Sequence, residues 1–134
     1  MTKYLIAYAG AAVLFFAVDL IWLGVVAKNF YRSALGELLL EQPNMLAATL
    51  FYLVFVAGVV IFAVAPALAS QNAWRALLLG ALFGLFTYGT YDMTNLATLK
   101  GWPIKVVIVD IVWGSVLTGA AALAGYGAVR LFER

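Results

Sequence analysis

The chain has 134 residues, of which 66% are hydrophobic and only 10% charged, and its mean hydropathy is +1.05. A soluble domain carries roughly a quarter of its residues as charges, so this composition points to lipid as the surrounding solvent. Neither cysteine nor histidine is present, which removes disulfides, thiol redox chemistry, histidine-bound zinc and the usual haem ligation.

A helix needs roughly 20 apolar residues, at about 1.5 Å each, to cross a hydrocarbon core of ~30 Å. Four runs meet that length: residues 4–26, 44–65, 76–99 and 103–131. The expected fold is therefore all-α, an integral-membrane four-helix transmembrane bundle made by residues 1–134 as a single domain. The first run is too long for the apolar region of a signal peptide and carries an acid, so cleavage is not expected. Between the first two runs, in residues 28–42, the pairs Phe30/Tyr31, Ala34/Leu35 and Leu38/Leu39 recur every fourth residue with polar residues between them. That pattern predicts a short helix lying in the interface, a tether between spans or a lid over a site. Pro43 fits the first turn of the second span, and Pro66 is expected just beyond its end. Gly101-Trp102-Pro103 reads as a tight turn into the last span, with Trp102 at interfacial depth.

The net charge of +2 and the isoelectric point near 9.0 carry no message about nucleic acid, because every basic residue flanks a span. Four spans put both termini and the loop near Ser70 on one side, with Lys3, Arg75, Arg130 and Arg134, and put Lys28, Arg32, Lys100 and Lys105 on the other. The positive-inside rule is tied, which leaves the orientation open and also permits both. A multi-pass membrane protein is expected, with lipid as its first partner. The uncharged second run and the small-residue series Gly80/Gly84 and Gly114/Thr118/Ala121/Ala122/Gly125 predict close helix contacts and a homo-oligomer, most simply a dimer.

Asp19, Asp92 and Asp110 are the main clue to function. Each lies seven residues from the same end of its run, hence about 10 Å below one membrane face. A carboxylate in hydrocarbon costs at least ~2.5 kcal/mol, so three at one depth predict a shared polar site. Helical spacing adds Tyr88, Tyr91, Asn95 and Thr98 to the face of Asp92, and Trp22 and Trp113 to the faces of Asp19 and Asp110. The phrases Asp19-Leu-Ile-Trp22 and Asp110-Ile-Val-Trp113 are alike, and antiparallel helices would set one indole shallower and one deeper than the acids, bracketing them. The candidate ligand-binding residues are Asp19, Trp22, Tyr88, Tyr91, Asp92, Asn95, Asp110 and Trp113. The alternative is structural: acids hydrogen-bonded to Asn95, Tyr88, Tyr91, Thr49, Thr118 or an indole, tying short helices together.

The stretch Tyr91-Asp92-Met93-Thr94-Asn95-Leu96-Ala97-Thr98-Leu99-Lys100-Gly101-Trp102-Pro103, with Asp110-Ile111-Val112-Trp113-Gly114 after it, resembles a family of small bacterial membrane proteins, domain of unknown function 2177. The resemblance extends over essentially the whole chain and implies four spans and a bacterial inner membrane. It implies no activity.

Three function classes fit these residues. The leading one is binding or transport of a small cationic or proton-coupled solute, with carboxylates for charge and indoles for cation–π walls. In outline this is similar to the small four-helix multidrug exporters, which share its length and balanced loop charge but none of its motifs. The second is an accessory or structural membrane subunit, or a lipid-binding protein. The third is a membrane-embedded enzyme acting on a lipid or isoprenoid, with Asp92, Asn95, Asp110 and Asp19 holding Mg²⁺ or working as acid and base. No other cofactor is implied, and 134 residues leave little room for an enclosed substrate chamber.

Overall fold

The computed structural model describes residues 1–133; Arg134, counted above among the basic flanks, lies outside the described residues. Every regular element among them is helical. α1 spans Thr2–Ile21 and widens into a π-helical turn at Trp22–Val26, α2 spans Lys28–Leu35 and ends in a 3₁₀ turn at Gly36–Leu38, and α3 spans Met45–Val59. A second π-helical stretch, Val60–Val64, joins α3 to α4, Ala65–Ala69, and α5, Ala73–Thr98, and α6, Ile104–Phe132, complete the chain.

Among the described residues three helical stretches are long and apolar enough to cross a membrane: Thr2–Val26, Met45–Ala69 and Ile104–Phe132. α5 has the length, at 26 residues, but not the uniform apolarity of the other three. Its second half alternates Thr87, Tyr88, Thr90, Tyr91, Asp92, Thr94, Asn95 and Thr98 with apolar residues. Four of these hydroxyls do not go looking for water. Thr87, Thr90, Thr94 and Thr98 each donate to the carbonyl four residues back, at 2.5–2.8 Å, which hides the polar group inside the helix that carries it.

The element boundaries show how capping is set locally. Asn44 and Asn72 accept hydrogen bonds from the amides of Ala47 and Arg75, at 3.1 and 3.2 Å, and so start α3 and α5. Pro43 consequently lies just outside α3 rather than in its first turn. Pro66 is inside the helical stretch, not beyond it, because the π-helical turn before it shifts the hydrogen-bond register and makes Pro66 a first-turn residue of α4, where a missing N–H costs nothing.

α6 is the central element, antiparallel to both α1 and α5. Its contact with α5 is backbone on backbone: a Cβ on Gly80 would meet Ala122 Cβ at 2.7 Å and the Thr118 carbonyl at 2.8 Å, and one on Gly84 would overlap the Gly114 carbonyl. On the α1 side, Gly10 faces Ala128 and Ala124 while Gly125 faces Ala7. Small residues are the means by which helices without a hydrophobic driving force gain close van der Waals contact. The core is completed by Phe15, Phe55, Val56, Val59 and Val64, all buried. The outward side of α3 exposes Leu46, Leu50 and Val54, and the π-helical stretch after it exposes Ile61.

Candidate functional site

Near the end of the bundle formed by the start of α6 lies a partly open cavity of about 440 Å³. Its walls come from α1 (Asp19), α2 (Tyr31, Leu35), α3 (Phe51, Tyr52, Phe55), α5 (Thr87, Tyr88, Tyr91) and α6 (Val106, Asp110, Trp113), with Leu23 and Trp102 from the connecting turns. Two carboxyls therefore open onto a space whose remaining surface is aromatic and aliphatic.

Close packing puts the rings there. Gly114 has no side chain where the Tyr88 ring lies, and a Cβ at that position would run into the ring. Phe55 holds Tyr88 from the α3 side with ring centroids 6.3 Å apart, and also contacts Phe15 at 5.3 Å. Tyr91 meets Trp102 edge to face at 5.8 Å.

The two Asp-x-x-Trp phrases cross. Asp19 accepts from the Trp113 indole at 3.1 Å, with Tyr52 at the limit of contact at 3.5 Å. Asp110 accepts from the Tyr31 hydroxyl at 2.7 Å, and that hydroxyl accepts in turn from the Trp22 indole at 3.3 Å. Trp22 and Trp113 stack on one another, 4.1 Å between centroids and 10° from parallel. The indoles thus stand between Asp19 and Asp110 instead of bracketing the acids. The reason is register: α1 and α6 run antiparallel with Asp19 opposite Trp113, so the three-residue step of each phrase, about 4.5 Å, brings the second tryptophan beside the first. Asp19 lies about one turn deeper than Asp110.

Asp92 is separate. It is 0% exposed, does not line the cavity, and neither of its carboxyl oxygens has a hydrogen-bond partner. The Asp110 carboxyl and the Trp102 indole are its polar neighbours, and the Trp102 Nε1 is likewise buried without a partner. Asn95 is half-buried and does not line the cavity, nor does Trp22, whose role is to hold Tyr31 and Trp113. Thr118, a candidate partner for the acids, bonds to the Gly114 carbonyl at 2.6 Å instead. Among the described residues no three acidic side chains converge to hold a metal ion.

A family model for a predicted membrane protein, DUF2177, matches residues 4–127. The chain belongs to the DUF2177 family. No curated protein and no solved structure matches it.

In this DUF2177 protein the residue that spacing alone did not single out is Tyr31. It lies on the amphipathic segment, and its neighbours in sequence, Arg32 and Ser33, are exposed. The signal was its place in the every-fourth-residue apolar pattern, which marks the inward face of α2 but not a bond to an acid 79 residues away. Phe30 packs edge to face against Tyr31 at 5.3 Å, and the Lys105 amine sits 5.9 Å from the Phe30 ring, so the basic start of α6 steadies the helix that covers the cavity. Trp102, expected at interfacial depth from its turn, is part of the cavity wall.

Proposed function

We propose that the protein is a four-span, multi-pass protein of a bacterial inner membrane whose aromatic cavity binds, and in a carrier cycle moves, a small organic cation. The observation that carries this reading is the lining: Asp19 and Asp110 open onto one space of about 440 Å³ whose other walls are mostly tyrosine, phenylalanine and tryptophan, with Leu23, Leu35, Thr87 and Val106 between them. That volume falls within the ~300–1,000 Å³ of typical small-molecule sites. An ammonium group over an aromatic face gains about 0.5–2 kcal/mol, more as water is excluded, and a carboxylate supplies the counter-charge. The fourth span in this reading is α5. Its threonine hydroxyls are satisfied by its own carbonyls, so the helix can face lipid with few unpaired polar groups.

The test is isothermal titration calorimetry of the detergent-purified protein with tetraethylammonium and, separately, tetraphenylphosphonium. Binding is expected for the wild type, with affinity at least about tenfold weaker in Asp19→Asn and in Asp110→Asn. Absence of heat with both cations would refute the reading.

One observation favours a second reading, an accessory or structural role. Asp19 and Asp110 already accept hydrogen bonds from Trp113 and Tyr31, as a satisfied polar core requires. On that reading the asparagine variants melt at lower temperature and no cation shifts the melting of any of them.

A further inference from the structure

We propose that Asp92 and Asp110 share a single proton, and that this pair releases it when a cation enters the adjoining cavity. The release step rests on the cation-binding reading above; the shared proton does not.

Three buried polar atoms have no partner, both carboxyl oxygens of Asp92 and the Trp102 indole nitrogen, and the α5–α6 register that sets Gly80 against Ala122, Gly84 against Thr118 and Tyr88 against Gly114 carries Asp92 opposite Asp110. Asp92 is 0% exposed, so water does not reach it from the surface. Their chemistry is complementary. Trp102 can only donate, and one Asp92 oxygen is the acceptor beside it. The same carboxyl stands beside that of Asp110, whose Oδ1 accepts from the Tyr31 hydroxyl at 2.7 Å. Two facing carboxylates repel unless a proton, a metal ion or a bridging donor lies between them. The indole N–H turns its positive edge to the same carboxyl, and among the described residues no third acid converges there. Both facts favour the proton. A single proton on Asp92, donated to Asp110, with Trp102 donating to the second oxygen, satisfies all three orphaned atoms after small side-chain rotations.

The amine on α6 nearest in sequence to Asp110, that of Lys105, sits over the Phe30 ring, 5.9 Å from its centroid. The titratable groups on which Asp92 or Asp110 acts are Tyr31 of α2, Asp19 of α1, Tyr52 of α3, and Tyr88 and Tyr91 of α5. Every one of them is an acid. Among the described residues no lysine or arginine acts on Asp92.

Asp110 belongs to both places: it is Asp92's carboxyl partner and it lines the cavity. With the proton present the pair carries a charge of −1. When a monovalent cation sits against Asp110, the Asp92 O–H bond breaks and the proton passes by way of the Asp110 carboxyl and the partly open cavity to bulk water, so the pair becomes −2 and the occupied site again sums to −1. No oxidation occurs and no other bond changes.

Infrared difference spectroscopy on the cation-free protein tests the shared proton. The wild type is expected to show a protonated carboxylic C=O stretch that shifts in D₂O, is absent from Asp92→Asn and from Asp110→Asn, and persists in Asp19→Asn. A wild type without that band overturns the proposal. In Asp92→Asn the amide can donate to Asp110 and accept from Trp102, which keeps the packing, and Asp110→Asn serves as the second variant should that one fail to fold. The release step is read with a pH-indicator dye in weakly buffered detergent solution during titration with tetraethylammonium. One proton per bound cation is expected for the wild type and none for Asp92→Asn. Cation binding by the wild type without proton release overturns the coupling. Failure to bind the cation overturns the cation reading together with the exchange, and the infrared band still decides the shared proton.

Discussion

Tyr31 joins three helices through one hydroxyl, accepting from Trp22 after α1 and donating to Asp110 of α6 while its own backbone belongs to α2. Burial, and then its hydrogen bond to Asp110, raise the phenol above its ordinary 10.0, with the Trp22 indole pulling the other way. An acid whose folded value is raised keeps its stabilising proton below its unfolded value and loses the stabilisation only as pH rises through the higher one. Between roughly pH 6 and 9, Tyr31 therefore contributes no slope to the melting temperature, and alkaline unfolding above that range should be steeper in the wild type than in Tyr31→Phe. That variant leaves Asp110 with one donor fewer and frees the Trp22 indole. It should lower stability by about 1–3 kcal/mol, measured by scanning fluorimetry, and should change the tryptophan emission. An unchanged melting curve would show the bridge to be dispensable. Trp113→Phe keeps a ring for the stack but strips Asp19 of its best donor, and it should destabilise by a similar amount.

At the scale of elements, the seam between α5 and α6 decides whether the cavity has a back wall. Gly84→Ala drives a methyl into the Gly114 carbonyl, and Gly114→Ala drives one into the Tyr88 ring. The first pushes two backbones apart, and the second turns out a ring that lines the cavity. Each should cost about 1–3 kcal/mol from overpacking, and Gly114→Ala should also distort the site. Gly89 is the control, because a Cβ there meets nothing. Gly89→Ala should be neutral or stabilise by up to about 1 kcal/mol through helix propensity. Comparing the three melting temperatures in one detergent checks the ordering; a Gly84→Ala protein as stable as Gly89→Ala would contradict the close approach of the helices.

For the molecule as a whole, the proposal of four spans makes α5 the helix to test. The absence of cysteine allows single cysteines to be introduced one at a time. Trp74, exposed in the first turn of α5, and Lys100, exposed just after its last, would lie on opposite faces of the membrane. Trp74→Cys and Lys100→Cys in intact cells should show opposite labelling by a membrane-impermeant maleimide. The tied loop charges allow a mixed orientation, which would appear as partial labelling at both sites. Equal, full labelling of both would mean that α5 does not cross.

The helical class, the long runs and the membrane setting were legible in the sequence because they rest on local quantities: run length, hydropathy and the side chains that cap or break a helix. The seam glycines and the inward face of α5 were legible for the same reason, since 3.6-residue periodicity assigns a side chain to a face before any partner is known. Depth along a helix placed Asp19, Asp92 and Asp110 within a turn or so of one another. What depth and periodicity do not contain is the register between helices. That register alone made Trp113 the donor to Asp19, stacked the two indoles between the acids, and brought Tyr31 across 79 residues to Asp110. It also buried Asp92 behind the cavity beside Trp102 while Asp19 and Asp110 were left facing it. The sequence by itself determined which residues are polar within an apolar chain and how deep they lie; only the packing of α1 and α5 against α6 decided which of them meet, because contact depends on the backbone separation that Gly84, Gly114 and Gly125 permit.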